Sequence, residues 1–118
     1  MASVRTRRIA REVISALAGI VDQELRDPRV RGVTFTAVYM SPDLKHARVF
    51  YSTRGDEKQQ LECSRGLDAA SGYLRRELGR KLALRFTPDL LFTLDGSLER
   101  ADRIQRLLSG ADTGELKR

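Results

Sequence analysis

The chain has 118 residues, 41% of them hydrophobic, which is enough for one core and excludes global disorder. No apolar run approaches the roughly 20 residues that cross a bilayer, and MASVRTRRIAREV lacks a signal-peptide stretch, so a cytoplasmic protein without a membrane partner is expected. The net charge of +6 comes from 22 basic and 16 acidic residues, and only Lys45, Lys58, Lys81 and Lys117 are lysines, so 22 − 4 leaves 18 arginines. A guanidinium is a planar fork of donors suited to phosphate and to stacking on bases, which makes nucleic acid the first partner to consider.

Ile9, Val13, Ala16, Leu17, Ile20 and Val21 recur at helical spacing over 4–25, with Ser3 as N-cap and Asp27-Pro28 as the stop. GVTFTAVYMSPDLKHARVFYST is rich in β-branched and aromatic residues around the turn chemistry of Ser41-Pro42-Asp43-Leu44-Lys45. It predicts a hairpin of strands 33–40 and 46–53. In the second strand Ala47, Val49 and Tyr51 share one face, and His46, Arg48 and Phe50 the other. The first strand is apolar on both faces: Val33, Phe35, Ala37 and Tyr39 alternate with Val38 and Met40, which leaves the register open and admits a bulge near Ala37.

Asp56 is placed to cap a helix through Leu61 and Arg65, and Leu67, Ala70, Tyr73 or Leu74, Leu78 and Leu82 form a second helical run. Between them Ala70-Ser71-Gly72 reads as a joint, because a glycine inside a helix costs about 1 kcal/mol relative to alanine. Phe86-Thr87-Pro88-Asp89 ends that run, and Leu90, Phe92 and Leu94 alternate with Leu91 and Thr93 in a third strand at 89–95. Ser97 caps a last amphipathic helix carrying Leu98, Ala101, Ile104 and Leu108, and 111–118 is expected to be a flexible tail. The order predicts a single α+β domain over 1–110, with a three-stranded sheet covered on one face by helices.

One cysteine (Cys63) and one histidine (His46) exclude an internal disulfide and a typical zinc set, and no phosphate-binding glycine loop occurs. Neither residue has the partners of a nucleophile or an acid–base pair, so no catalytic residue, metal or cofactor is expected. Asp22, Glu24, Asp56, Glu57, Glu62, Asp68 and Glu77 alternate with basic and polar residues, the pattern of solvated helical faces. The basic clusters say more. Arg5, Arg7, Arg8 and Arg11 fall within seven residues without an acid, at a helix N-terminus whose macrodipole they oppose. Arg75, Arg76, Arg80, Lys81 and Arg85 follow Ala70-Ser71-Gly72, and Lys45 and Arg48 sit at the hairpin end. Together these eleven side chains are the candidate RNA-binding surface, with an affinity that falls as salt rises. The alternative is a protein-interaction module that uses the hairpin and the last helix, its arginines solvating the surface. RNA binding near physiological salt separates the two.

The αββααβ order is that of a type II KH domain, an RNA-binding fold. Several motifs add to it: Arg26-Asp27-Pro28-Arg29, Val33-Thr34, Ser41-Pro42-Asp43-Leu44, Ala47 with Val49, and Leu74-Arg75 with Leu78. Leu84-Arg85-Phe86-Thr87-Pro88-Asp89-Leu90 with Phe92 and Asp95-Gly96-Ser97 completes the set. In this order and spacing, over about residues 4–108, they resemble the bacterial ribosome-binding factor A family. That family is KH-like and carries an Ala-x-Gly helix-kink-helix, here Ala70, Ser71 and Gly72, where other KH proteins have a Gly-x-x-Gly loop. The resemblance implies a non-enzymatic assembly factor that binds the free small (30S) ribosomal subunit and its 16S rRNA. It also implies support for late maturation, 5′-end processing of the rRNA and cold adaptation. No heptad pattern is present, so a monomer is expected.

Overall fold

The computed structural model of the chain describes residues 4–96. Its first helix, α1, runs Val4–Gln23 and buries Thr6, Ala10, Val13, Leu17 and Ile20, one side chain every three or four residues. Ile9, Ala16 and Val21 from the predicted stripe flank that line half-buried. The helix ends before Pro28, as expected, but the chain does not pass straight into a strand. Asp27 caps a short 3-10 turn, Pro28–Val30, by accepting from the Arg29 N–H at 2.9 Å. Val30 joins the core there, and Gly32 at φ +77° turns the chain into the sheet.

Strands β1 (Thr34–Met40) and β2 (His46–Ser52) form the predicted antiparallel hairpin. Its turn is held by side chains. The Ser41 hydroxyl donates to Asp43 Oδ1 at 2.6 Å, and the Lys45 N–H donates to the same oxygen at 3.0 Å. The register shifts between Phe35 and Ala37, which is the expected bulge. That shift resolves the ambiguous strand. Phe35 and Val38, three residues apart, both enter the core, and Tyr39 is turned outward. In β2 the predicted alternation holds, with Ala47, Val49 and Tyr51 only 1%, 0% and 3% exposed.

Beyond β2, Gly55 at φ +111° leads into helix α2, Glu57–Leu82. Asp56 opens it with a capping box: its carboxylate accepts from the Gln59 N–H, and the Gln59 side chain accepts from the Asp56 N–H. Here the structure corrects the sequence reading. The two helices expected on either side of Ala70-Ser71-Gly72 are one continuous helix of 26 residues. The buried positions Cys63, Leu67, Leu74 and Leu78, with half-buried Ala70 between them, keep one helical phase across the glycine. Continuous burial of such a stripe, at about 1.5–3 kcal/mol per large side chain, outweighs the single glycine penalty. Gly72 itself lies on the exposed side. Of Tyr73 and Leu74, it is Leu74 that is fully buried.

α2 ends at Ala83, a non-glycine residue in the left-handed region (φ 50°), with the Leu84 N–H donating to the Gly79 carbonyl at 3.2 Å. The chain then enters β3, Asp89–Leu94, which lies parallel to β2 and gives the strand order β1-β2-β3. Parallel neighbours need a long crossover, and α2 supplies it. The Asp89 N–H donates to the Lys45 carbonyl and the Asp95 N–H to the Tyr51 carbonyl, anchoring both ends of β3 to β2. The result is an α+β, KH-like domain whose helices share one face of a mixed three-stranded sheet. The Ser3 cap, the last predicted helix from Ser97 to Leu108 and the 111–118 tail lie outside the described residues.

Two glycines of α2 make opposite predictions. A Cβ on Gly72 meets nothing within 4 Å, so Gly72→Ala should raise stability by about 0.5–1 kcal/mol. A Cβ on Gly66 would stand 2.9 Å from Val30 Cγ1 and 3.1 Å from Arg29 Cβ, so Gly66→Ala should lower it by about 1–3 kcal/mol. Urea midpoints measure both. A destabilised Gly72→Ala would argue for a joint at that position after all.

Candidate nucleic-acid interface

The first two turns of α1 carry Arg5, Arg7, Arg8 and Arg11, all exposed, and none of the four makes an ion pair with a described residue. Their positions follow from the helix. Thr6, Ala10 and Val13 face the core, so the intervening arginines fan out on both flanks of the buried stripe. On one flank Arg7 and Arg11 border a groove against β1, which is an edge strand, at Val38, Tyr39 and Met40. On the other, Arg5 and Ile9 share a groove of about 330 Å³ with Met40, Leu44, Arg85 and Phe86. The fold therefore brings the N-terminal cluster, the hairpin end and Arg85 together around Met40. Arg85 lies against Phe86, its guanidinium carbon 5.5 Å from the ring centroid, and Phe86 is otherwise open to solvent.

The rest of the C-terminal cluster of α2 is divided. Arg75 is a structural clamp: Nε donates to the Pro88 carbonyl at 3.1 Å, and Nη2 donates to the Thr87 carbonyl and lies 3.2 Å from Asp89 Oδ1. It ties α2 to the start of β3. Arg80 pairs with Glu77 at 3.0 Å, and Lys81 with Glu24 at 3.0 Å. Arg76 is exposed and lies over the Tyr73 ring at 5.7 Å. Two carboxylates assigned above to solvated faces are therefore placed differently. Glu77 is buried beside its arginine, and Glu24 is half-buried, accepting from the Tyr73 hydroxyl at 2.6 Å. A helix pattern alone does not reveal this, because the partners lie on another element or on the inner flank.

Hydrogen bonding sets the electrostatics of these clamps. The Tyr73 hydroxyl and then Lys81 hold the Glu24 carboxyl below its ordinary 4.5. Asp27 is lowered by the Arg29 guanidinium, whose Nε reaches both carboxylate oxygens at 3.0 Å, and Asp43 by the Ser41 hydroxyl and the Lys45 N–H. Arg29 is thus engaged within its own turn. Burial raises the Cys63 thiol above its usual range, and the side chain is part of the core. His46 Nδ1 lies 3.9 Å from Asp89 Oδ2, with both side chains about two-thirds exposed. Among the described residues no three His, Cys, Asp or Glu side chains are close enough to share a metal ion, and no helix is long and apolar enough to cross a membrane.

Lys45 and Arg48 are exposed at the hairpin end and on the outer face of β2. Around them the structure adds residues that the charge pattern did not single out: Tyr39, Phe50 and Phe86. Their signal in the sequence was faint, an aromatic at an outward strand position or just beyond a helix end.

A small KH-like α+β domain that gathers arginines at one end of its first helix and at the hairpin is the class these features define. The ribosome-binding factor A pattern matches residues 5–108, and the chain belongs to that family. Ribosome-binding factor A of Natranaerobius thermophilus is 38% identical over 98% of this chain and 88% of its own length. The crystal structure of the Thermus thermophilus factor matches with a TM-score of 0.67 at 28% identity, covering 75% of this chain and 94% of the other. A Thermus thermophilus homology model fitted into a cryo-EM map of a complex of 30S with ribosome-binding factor A matches with a TM-score of 0.64 at 28% identity, covering 77% and 96%.

The division among the basic residues is measurable as stability. Arg75→Ala should cost about 1–2 kcal/mol by releasing the loop carbonyls, whereas Arg8→Ala should stay within about 0.5 kcal/mol. Equal effects in urea denaturation would remove the distinction between clamp and surface.

The Glu24 contact makes a pH prediction. A carboxyl whose native pKa is lowered contributes stability that is present above the ordinary 4.5 and lost as pH falls through the lower native value. Tyr73→Phe keeps the ring and removes the strongest cause of the shift. The drop in urea midpoint between about pH 7 and about pH 3 should be smaller in this variant than in the wild type. Identical drops would mean that the Tyr73 hydroxyl does not act on Glu24.

Proposed function

We propose that the chain is a non-enzymatic assembly factor that binds the free small ribosomal subunit through its 16S rRNA. In this reading it acts late in subunit maturation, when the 5′ end of the rRNA is processed, and supports growth in the cold. It works as a cytoplasmic monomer without a cofactor. Family membership gives the ribosomal partner its prior, and the Thermus thermophilus relative is described in a 30S complex. The observation that carries the RNA contact is the run Arg5, Arg7, Arg8 and Arg11, which has no ion-pair partner among the described residues at a helix end that would favour anions. Such an arrangement opposes helix stability and suits phosphate oxygens. Lys45, Arg48 and Arg85 extend this cationic surface, Arg76 stays on the outer side of α2, and Arg75, Arg80 and Lys81 are engaged in ion pairs and contribute mainly by holding the fold.

Co-sedimentation with purified small subunits at graded salt is the test. Binding should weaken steeply between about 50 and 200 mM salt. Arg7→Glu combined with Arg8→Glu should weaken it further and lower the salt slope by about 2, with unchanged circular dichroism. Binding that ignores salt, or that survives this double reversal, would refute the proposal.

A further inference from the structure

The sheet has two unlike faces. One carries the core, and the other, among the described residues, is left uncovered by α1 and α2. Register sets the composition of the bare face. Tyr39 of β1, Arg48 of β2 and Leu91 of β3 form one row across it, and Ala37, Phe50 and Thr93 form the next. Tyr39 and Phe50 meet edge to face, with centroids 5.7 Å apart and planes at 88°. Tyr39 is 65% exposed and Leu91 56%. The fold does not require aromatic and aliphatic side chains at these wet positions; polar β-formers would complete the strands as well.

Charge narrows the occupant. Arg48 stands at the centre of the face, with His46 and Lys45 at its hairpin end and Arg7 and Arg11 along the neighbouring β1 edge. Among the described residues the carboxylates near it are engaged. Asp89 is paired with Arg75 and faces His46, Asp43 is held inside the turn, and Asp95 accepts from Thr36 at 2.6 Å. A cationic face with an exposed ring beside a guanidinium matches a nucleotide, in which a flat base adjoins a phosphate. A duplex hides its base faces, so the fitting ligand is unpaired.

We propose that the bare sheet face is a stacking platform for unpaired RNA bases, with Tyr39 as the principal stacking side chain, Phe50 as its support and Arg48 on the adjoining phosphate. This rests on the proposed RNA contact and deepens it: the α1 arginines take backbone phosphates, and the sheet takes one or two splayed bases.

The full chain should be titrated with labelled single-stranded oligomers of about eight uridines or adenosines and with a duplex of equal length, followed by anisotropy. Tyr39 is exposed, so Tyr39→Ala should fold normally by circular dichroism. It should bind the single strands about tenfold more weakly, with the salt slope and duplex binding unchanged. Tyr39→Trp should retain binding, and its indole fluorescence should be quenched by the single strand. Wild-type affinity for the oligomers in Tyr39→Ala overturns the platform, and salt-dependent small-subunit binding that is lost in the Arg7→Glu, Arg8→Glu variant would leave the proposed function standing. If Tyr39→Ala binds oligomers normally but loses small subunits, the face docks a protein and the platform is again overturned. Failure of the wild type to bind any RNA or small subunits overturns both readings.

Discussion

Strand β2 sits between the two others, and its period-two alternation is the constraint on which the rest depends. Ala47, Val49 and Tyr51 are driven into the core against both helices, which forces His46, Arg48 and Phe50 to the opposite face. A one-residue slip would exchange the two sets, burying a guanidinium and exposing the core. Register is therefore protected on both sides. The Ser41–Asp43 turn fixes one end of the hairpin, and the anchoring of β3 at Lys45 and Tyr51 fixes both ends of the parallel pair. The bulge at Thr36 gives β1 the matching phase, with Phe35 and Val38 inward and Tyr39 outward.

From that frame the basic residues separate into two kinds. Arg29, Arg75, Arg80 and Lys81 close local structure: a turn, the α2–β3 loop, a buried carboxylate and the α1–α2 contact. Each already has a carboxylate partner within the fold, which offsets part of its charge toward a phosphate. The arginines at the start of α1 have no such role among the described residues and are placed against the helix dipole. A protein under selection for stability alone would favour acidic residues there. The proposed function gives that cost a reason, and it locates the contact at the end of the domain where α1, the hairpin and the Arg85-Phe86 pair converge.

Much of the fold is legible in the sequence because it is written in local periodicity. The α1 stripe, the hairpin with its Ser-Pro-Asp turn, the alternation of β2 and the short β3 all follow from spacing. Even the bulge is visible, as a strand with apolar residues on both faces. The continuity of α2 is hidden when Gly72 is weighed by its propensity alone. The phase of Cys63, Leu67, Ala70, Leu74 and Leu78 runs straight past it, and packing along that line prevails over one weak residue. The site is half legible. Clusters of arginine show in a sequence, but which ones are paired depends on contacts between distant segments, such as Lys81 with Glu24 or Arg75 with Asp89. The outward aromatics are hidden for the same reason, since Tyr39 and Phe50 become neighbours only through the cross-strand pairing of β1 with β2.

The central claim is that one end of the molecule, the α1 arginines with the adjoining sheet face, meets ribosomal RNA while the outer side of α2 does not. A photo-crosslinking residue placed in turn at Arg8, Tyr39 and exposed Leu61 tests it most directly on purified small subunits. The account predicts RNA crosslinks from positions 8 and 39 that fade as salt rises, and none from position 61. Crosslinks from position 61 with none from 8 or 39 would contradict it.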